Sequence, residues 1–253
     1  MLVDQKEAFE KYHEQIVSIY RRYNMIDVIH QGGYLTKFSN SVGHLRPKYN
    51  LNGQIDFQEQ DLYNIVHETR FAIANTVLLS EIGLTPFLIN HIYDPVPLFS
   101  PTVVDIRFFY FIDDAFMRLY NFWNRVANFL NIFFQIETNP EKVLFPSLIE
   151  KLASRVGNDL NFKSLQEFKE KEYKDIINRK RRKVVHRESS SSTYFKSFLD
   201  SLAKNFKETS KLQEQLRALQ RERDELPPYF VTSYKRMIQG LDEMLALIRD
   251  NVK

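Results

Sequence analysis

The chain has 253 residues and a mass of 30.2 kDa, enough to bury a substantial core as one large domain. Its 43% hydrophobic, 14% aromatic and 26% charged content is that of a folded globular protein and excludes a disordered chain. The absence of cysteine excludes disulfides, thiolate metal sites and a cysteine nucleophile, and makes a reducing compartment, the cytoplasm, the expected location.

The N-terminus MLVDQKEAFEKYHEQ is charged from Asp4 onward and lacks the apolar run of a secretory signal. Phe9, Tyr12, Ile16, Tyr20 and Tyr23 recur at helical spacing and predict a first helix over about 4–23. Gly32-Gly33 and Gly43 then punctuate a poorly patterned stretch, so 24–55 reads as loop with room for a small hairpin. Leu62, Val66, Ile73 and Val77 predict a second helix from near Asp56 to Gly83, stopped before Pro86. Prolines 86, 95, 97 and 101 make 84–101 a connector.

From Val103 to about Glu137, the positions Ile112, Phe116, Leu119, Trp123, Val126, Leu130 and Phe133 alternate in steps of four and three, which aligns them along one seam of a central helix. Phe108, Phe111, Phe122 and Phe129 widen that face, so more than one neighbouring helix must cover it. On the remaining side Asp114, Arg118, Asn121, Asn124, Asn128 and Asn131 form a polar ridge, which we read as solvated surface. Asp113, Asp114, Arg118 and Arg125 interrupt this most apolar region and exclude a membrane span.

Shorter helices follow at about 147–156 and 163–182, separated by Gly157-Asn158-Asp159, and Ser189 to Ser192 reads as a flexible or helix-capping stretch. Pro227-Pro228 separates the last two, about 194–225 and 229–251, which form a C-terminal helical hairpin. Leu202, Phe206, Leu212, Leu216 and Leu219 face Phe230, Tyr234, Met237, Leu241, Met244 and Ile248 in that reading; pairing within the hairpin and pairing between two chains bury the same stripe. The chain thus divides into an N-terminal helix and loop (1–60), a helical core (61–226) and a C-terminal helix (227–253) that packs on the core or on a partner chain.

The six histidines, at 13, 30, 44, 67, 91 and 186, make no HExxH or HxH, and no phosphate-cradling glycine loop occurs, so neither a metal nor a cofactor is expected. Charge is concentrated instead. Residues 171–187 hold eight Lys/Arg against Glu172 and Asp175, a local +6 in a chain of net +3 that leaves the remainder at −3. Such a patch suits a localised polyanion.

Within it stands Asn178-Arg179-Lys180-Arg181-Arg182-Lys183-Val184-Val185-His186-Arg187. An imidazole can exchange a proton near neutral pH, while a guanidinium fork can hold a phosphate and offset charge on a pentavalent phosphorane, a pairing suited to RNA cleavage. On one continuous helix Arg179, Arg182 and His186 would share a face within about 60° and Arg181 would point about 140° away. A break near Val184-Val185 would lift that restriction, so geometry leaves the arginine open.

Arg181-Arg182-Lys183-Val184-Val185-His186 resembles the R-x(4–6)-H signature of the HEPN superfamily, and Arg179 satisfies the longer spacing. The resemblance implies an all-α, multi-helix bundle, commonly dimeric, in which arginine and histidine of two protomers form one metal-independent endoribonuclease site acting on single-stranded RNA. It assigns catalysis to Arg181 and His186, and RNA contacts to Arg179, Lys180, Arg182, Lys183 and Arg187. It implies a homodimer, an antitoxin partner, and a role as a toxin or in phage defence; no membrane partner is expected, from the charges that break the apolar region. Arg182 stands where the superfamily often has asparagine; inactive members of the same fold are non-catalytic RNA- or protein-binding modules.

Overall fold

Thr102 opens the longest helix because it supplies both halves of a capping box: its hydroxyl accepts from the Asp105 N–H at 3.3 Å, and its own N–H donates to the Asp105 carboxylate at 2.8 Å. From there α5 runs Val103–Phe134. In the computed structural model, which describes residues 2–25, 33–86, 88–89, 97–98, 101–139, 143–176, 190–205 and 209–253, the elements before it are α1 (Leu2–Arg22), α2 (Gly33–Val42), α3 (Arg46–Tyr49) and α4 (Gln54–Ile82). After it come α6 (Phe145–Val156), α7 (Leu160–Phe168), a π-helical turn (Lys169–Tyr173), α8 (Lys174–Ile176), α9 (Ser190–Asn205), α10 (Thr209–Asp224) and α11 (Leu226–Asn251). The chain is all-α. A two-residue antiparallel ladder, Leu88 opposite Leu98 and Ile89 opposite Pro97, closes part of the connector.

All seven seam residues of α5 are buried, and its widest neighbour is α4. The second half of α4 is buried on every side, from Ala72 through Leu79, because α5, α1 and α11 surround it. Trp123 is fully buried against Phe145 (4.9 Å between ring centroids) and Phe168 (5.4 Å), which ties α6 and α7 to α5. The close passage of α11 needs Gly240: a Cβ there would lie 2.5 Å from Cη2 of Trp123. Pro227 and Pro228 occupy the first turn of α11, where their missing N–H groups cost nothing. α11 then packs on α7, α5, α4 and α2, while α9 and α10 pack on each other.

Two sequence expectations are corrected. The stretch 24–55 is largely helical where described: Phe38, Val42 and Leu45 are buried, and Pro47 sits in the first turn of α3, where a proline is tolerated. The polar ridge of α5 is half-buried and engaged, not solvated. Arg118 bridges Asp114 and Glu68 of α4, and Asn131 holds the backbone of Ile136 and Glu137 through both ends of its amide. Among the described residues, no helix is long and apolar enough to cross a membrane.

Candidate active site

Arg179, Lys180, Arg181, Arg182, Lys183, His186 and Arg187 lie outside the described residues, which stop at Ile176 and resume at Ser190. What the structure places is both roots of the segment that carries them.

The first root descends from α7. Asp159 caps that helix, accepting from the N–H groups of Asn161 (2.8 Å) and Phe162 (3.1 Å). The π-helical turn follows, and its last residue, Tyr173, is buried against Tyr120 (5.5 Å) and Phe145 (5.7 Å). The Tyr173 hydroxyl donates to Asn124 Oδ1 at 3.4 Å, the oxygen that also accepts the Phe145 N–H at 3.3 Å. Ile176, the last described residue on this side, is 1% exposed. A π-turn widens the helical step, and here it lets Tyr173 face α5 after the buried row of Phe162, Leu165 and Phe168.

The second root is Ser190, first residue of α9. Its N–H donates to both carboxylate oxygens of Asp113 at 3.1 Å, so a side chain of α5 supplies the anionic cap of another helix. Tyr194 and Phe198 seat that helix, Tyr194 with its ring 5.2 Å from Phe109. Asp113 and Tyr120 are seven residues apart, hence on one face of α5 and about 10 Å apart along its axis. The turn that leads into the basic segment and the helix that follows it are therefore both held by one face of one helix, α5.

Acidic groups line these roots. Burial lifts the Glu172 carboxyl above its ordinary value, against the pull of Arg236, whose Nε lies 3.1 Å from it; Asp175 adds to the lift. Burial also pushes the Tyr229 phenol far above the usual range, assisted by Asp175 and opposed by a hydrogen bond with Ser233. Among the described residues, no group of three or more His, Asp or Glu side chains could hold a metal ion. The sequence reading missed Asp113, Tyr173 and Asn124 as supports: their partners lie 77 and 49 residues away, beyond any local pattern.

A family model described as Cthe2314-like HEPN matches residues 96–252, which is more than half of the chain and spans α5 to α11, both roots and the basic segment between them. No curated protein and no solved structure matches the chain.

Proposed function

The chain belongs to the Cthe2314-like HEPN family, and on that premise we propose that it is a metal-independent endoribonuclease acting on single-stranded RNA through Arg181 and His186. The observation that carries the reading is the anchoring of Tyr173 and Ser190, on either side of the basic segment, to a single face of α5 through Tyr120, Asn124 and Asp113, inside the region the family covers. Two roots on one rigid helix suit a catalytic segment, because fixed ends limit the orientations its side chains must lose on binding.

The chemistry needs no external nucleophile. The RNA's own 2′-oxygen gives its proton to a base and bonds to phosphorus; the bond from phosphorus to the 5′-oxygen breaks, and that oxygen takes up a proton. The products are a 2′,3′-cyclic phosphate and a 5′-hydroxyl. His186 moves the proton, Arg181 holds the phosphorane oxygens, and Arg179, Lys180, Arg182, Lys183 and Arg187 hold flanking phosphates.

A homodimer would bring two Arg/His sets together. Supporting it, Val103 (63% exposed), Ile106 (56%) and Tyr110 (66%) form an apolar stripe on α5, with exposed Phe195 and Leu199 on α9, the helix that begins just after the basic segment. A toxin or phage-defence role with an antitoxin partner follows by resemblance. The alternative, a non-catalytic RNA- or protein-binding module, is favoured by Arg182 at the position where asparagine is common. Incubating labelled RNA with the wild-type protein and with His186→Ala separates the two: cleavage lost in the variant supports the nuclease, and RNA binding without cleavage by either supports the module.

A further inference from the structure

The helix that leads into the basic segment holds one residue more than an α-helix would. Across the turn Lys169–Tyr173 the Lys174 N–H reaches back five residues, to the Lys169 carbonyl, where an α-helical bond reaches back four. Such turns are rare, are less well bonded than the helix around them, and concentrate at functional sites. This one stands immediately before α8, which ends at Ile176, the last described residue ahead of the basic segment.

The extra residue decides which side chain meets α5. Phe162, Leu165 and Phe168 are buried at helical steps, and in an unbroken α-helix the next residue on that face would be Glu172, four after Phe168. The π-helical turn delays the face by one residue. Tyr173 therefore takes the seat against Tyr120 and Phe145, where its hydroxyl donates to Asn124 Oδ1 at 3.4 Å. Glu172 is left at the edge, 15% exposed, with Oε1 3.1 Å from Arg236 Nε on α11. Ile176 follows Tyr173 by three residues and Glu172 by four, so it is a helical neighbour of either and the helix can continue from both.

A charged carboxylate among aromatic rings is costly, whereas a neutral carboxyl is a hydroxyl donor like the phenol, and Asn124 Oδ1 is the acceptor that the seat offers. Burial already lifts the Glu172 carboxyl above its ordinary value, with Asp175 adding to the lift and Arg236 and Lys171 opposing it. Tyr229 of α11 faces the same carboxyl, and α5 presents the uncharged Tyr120 and Asn124. The remaining charges of the turn are engaged outward: Lys169 with Glu150 of α6 and with Glu170, Lys171 with Glu167 of α7, and Lys174 with Glu170.

We propose that this turn is a proton-operated register switch: when Glu172 takes up a proton and leaves Arg236, the π-helical turn closes to an α-helical one, Glu172 replaces Tyr173 on Asn124, and α8 turns by about 100°. Tyr173 is seated at neutral pH, and acid favours the other register. The consequence for cleavage rests on the nuclease reading, because turning the root re-aims the segment that carries Arg181 and His186; the switch itself does not rest on it.

The test is fluorine NMR of the full chain labelled with 3-fluorotyrosine, the Tyr173 signal being assigned by its loss in Tyr173→Phe. Between about pH 8 and about pH 5 the wild-type Tyr173 signal passes from one position to a second. Deletion of Lys171 makes Tyr173 the fourth residue after Phe168 in an unbroken α-helix and holds the first position throughout. Glu172→Gln, an uncharged donor of the same shape, shows the second position already at about pH 8. The proposal is overturned if the wild-type signal is constant over that range, if the Lys171 deletion shifts as the wild type does, or if Glu172→Gln matches the wild type at about pH 8; should the deletion fail to fold, Glu172→Gln alone decides. A chain that cleaves no RNA yet shows the Tyr173 transition keeps the switch and sinks the nuclease reading, and cleavage with a constant Tyr173 signal sinks the switch alone.

Discussion

Asp113 of the central helix receives the Ser190 N–H on both of its carboxylate oxygens at 3.1 Å, so the C-terminal root of the basic segment is fixed by a residue 77 positions earlier in the chain. Removing a helix cap typically costs about 1 kcal/mol. Asp113→Ala is expected to lower stability by about that amount, to speed hydrogen exchange in the first turn of α9, and to reduce RNA cleavage by more than the lost stability explains. Asp113→Asn keeps an acceptor and should recover most of both.

Gly240 is expected to tolerate no side chain. A Cβ there would meet two atoms of the Trp123 ring, at 2.5 and 2.9 Å, in a pocket also closed by Phe145 and Phe168. Overpacking a filled core costs about 1–3 kcal/mol. Urea unfolding of Gly240→Ala should show a midpoint reduced to match, with fluorescence of the single tryptophan reporting the displaced ring.

Acid should unfold the protein partly through Asp105. Burial alone would raise its carboxyl, yet the side-chain and backbone hydrogen bonds from Thr85 and Thr102 outweigh that and hold it below the ordinary value. A carboxyl depressed in the folded state contributes stability that is fully present above the unfolded value of about 3.9 and is lost as pH falls through the lower folded value. Stability measured by urea midpoint should therefore fall below about pH 4, and Asp105→Asn should be weaker at neutral pH with a flatter acid limb. Arg223, 1% exposed and donating to the Thr85 carbonyl at 2.7 Å, ties α10 into the same cluster, so Arg223→Met should loosen the connector and α10 together.

The fold was readable where one face decides burial. Ile112, Phe116, Leu119, Trp123, Val126, Leu130 and Phe133 repeat at helical steps because all seven pack inward. α2 escaped because it is only 10 residues long and glycines stand at both of its ends, which read as loop punctuation although Phe38 and Val42 are buried. The ridge of α5 was misread because a polar residue in a sequence does not announce whether its partner is water, a neighbouring helix or loop backbone; Arg118 and Asn131 found the latter two. The basic segment stood out by its charge and its arginine–histidine spacing, whereas the anchoring roles of Asp113 and Tyr173 carry no signal before the helices are packed.

Binding of RNA should depend on salt through the same segment. Each phosphate met by a lysine or arginine releases counterions, so neutralising Arg179 and Lys180 together should flatten the plot of log affinity against log salt by roughly one unit for each phosphate no longer neutralised. Filter binding at a series of salt concentrations checks it, and an unchanged slope would place the phosphates elsewhere.

The central claim is tested most directly by incubating end-labelled single-stranded RNA with the protein in EDTA and identifying the new termini. The account predicts cleavage that persists in the chelator, leaves 2′,3′-cyclic phosphates, spares a 2′-deoxy substrate, and falls by about 10²–10⁴ in His186→Ala while RNA binding survives in that variant better than in Arg181→Ala. Cleavage abolished by EDTA, equal on the deoxy strand, or untouched by His186→Ala would contradict it.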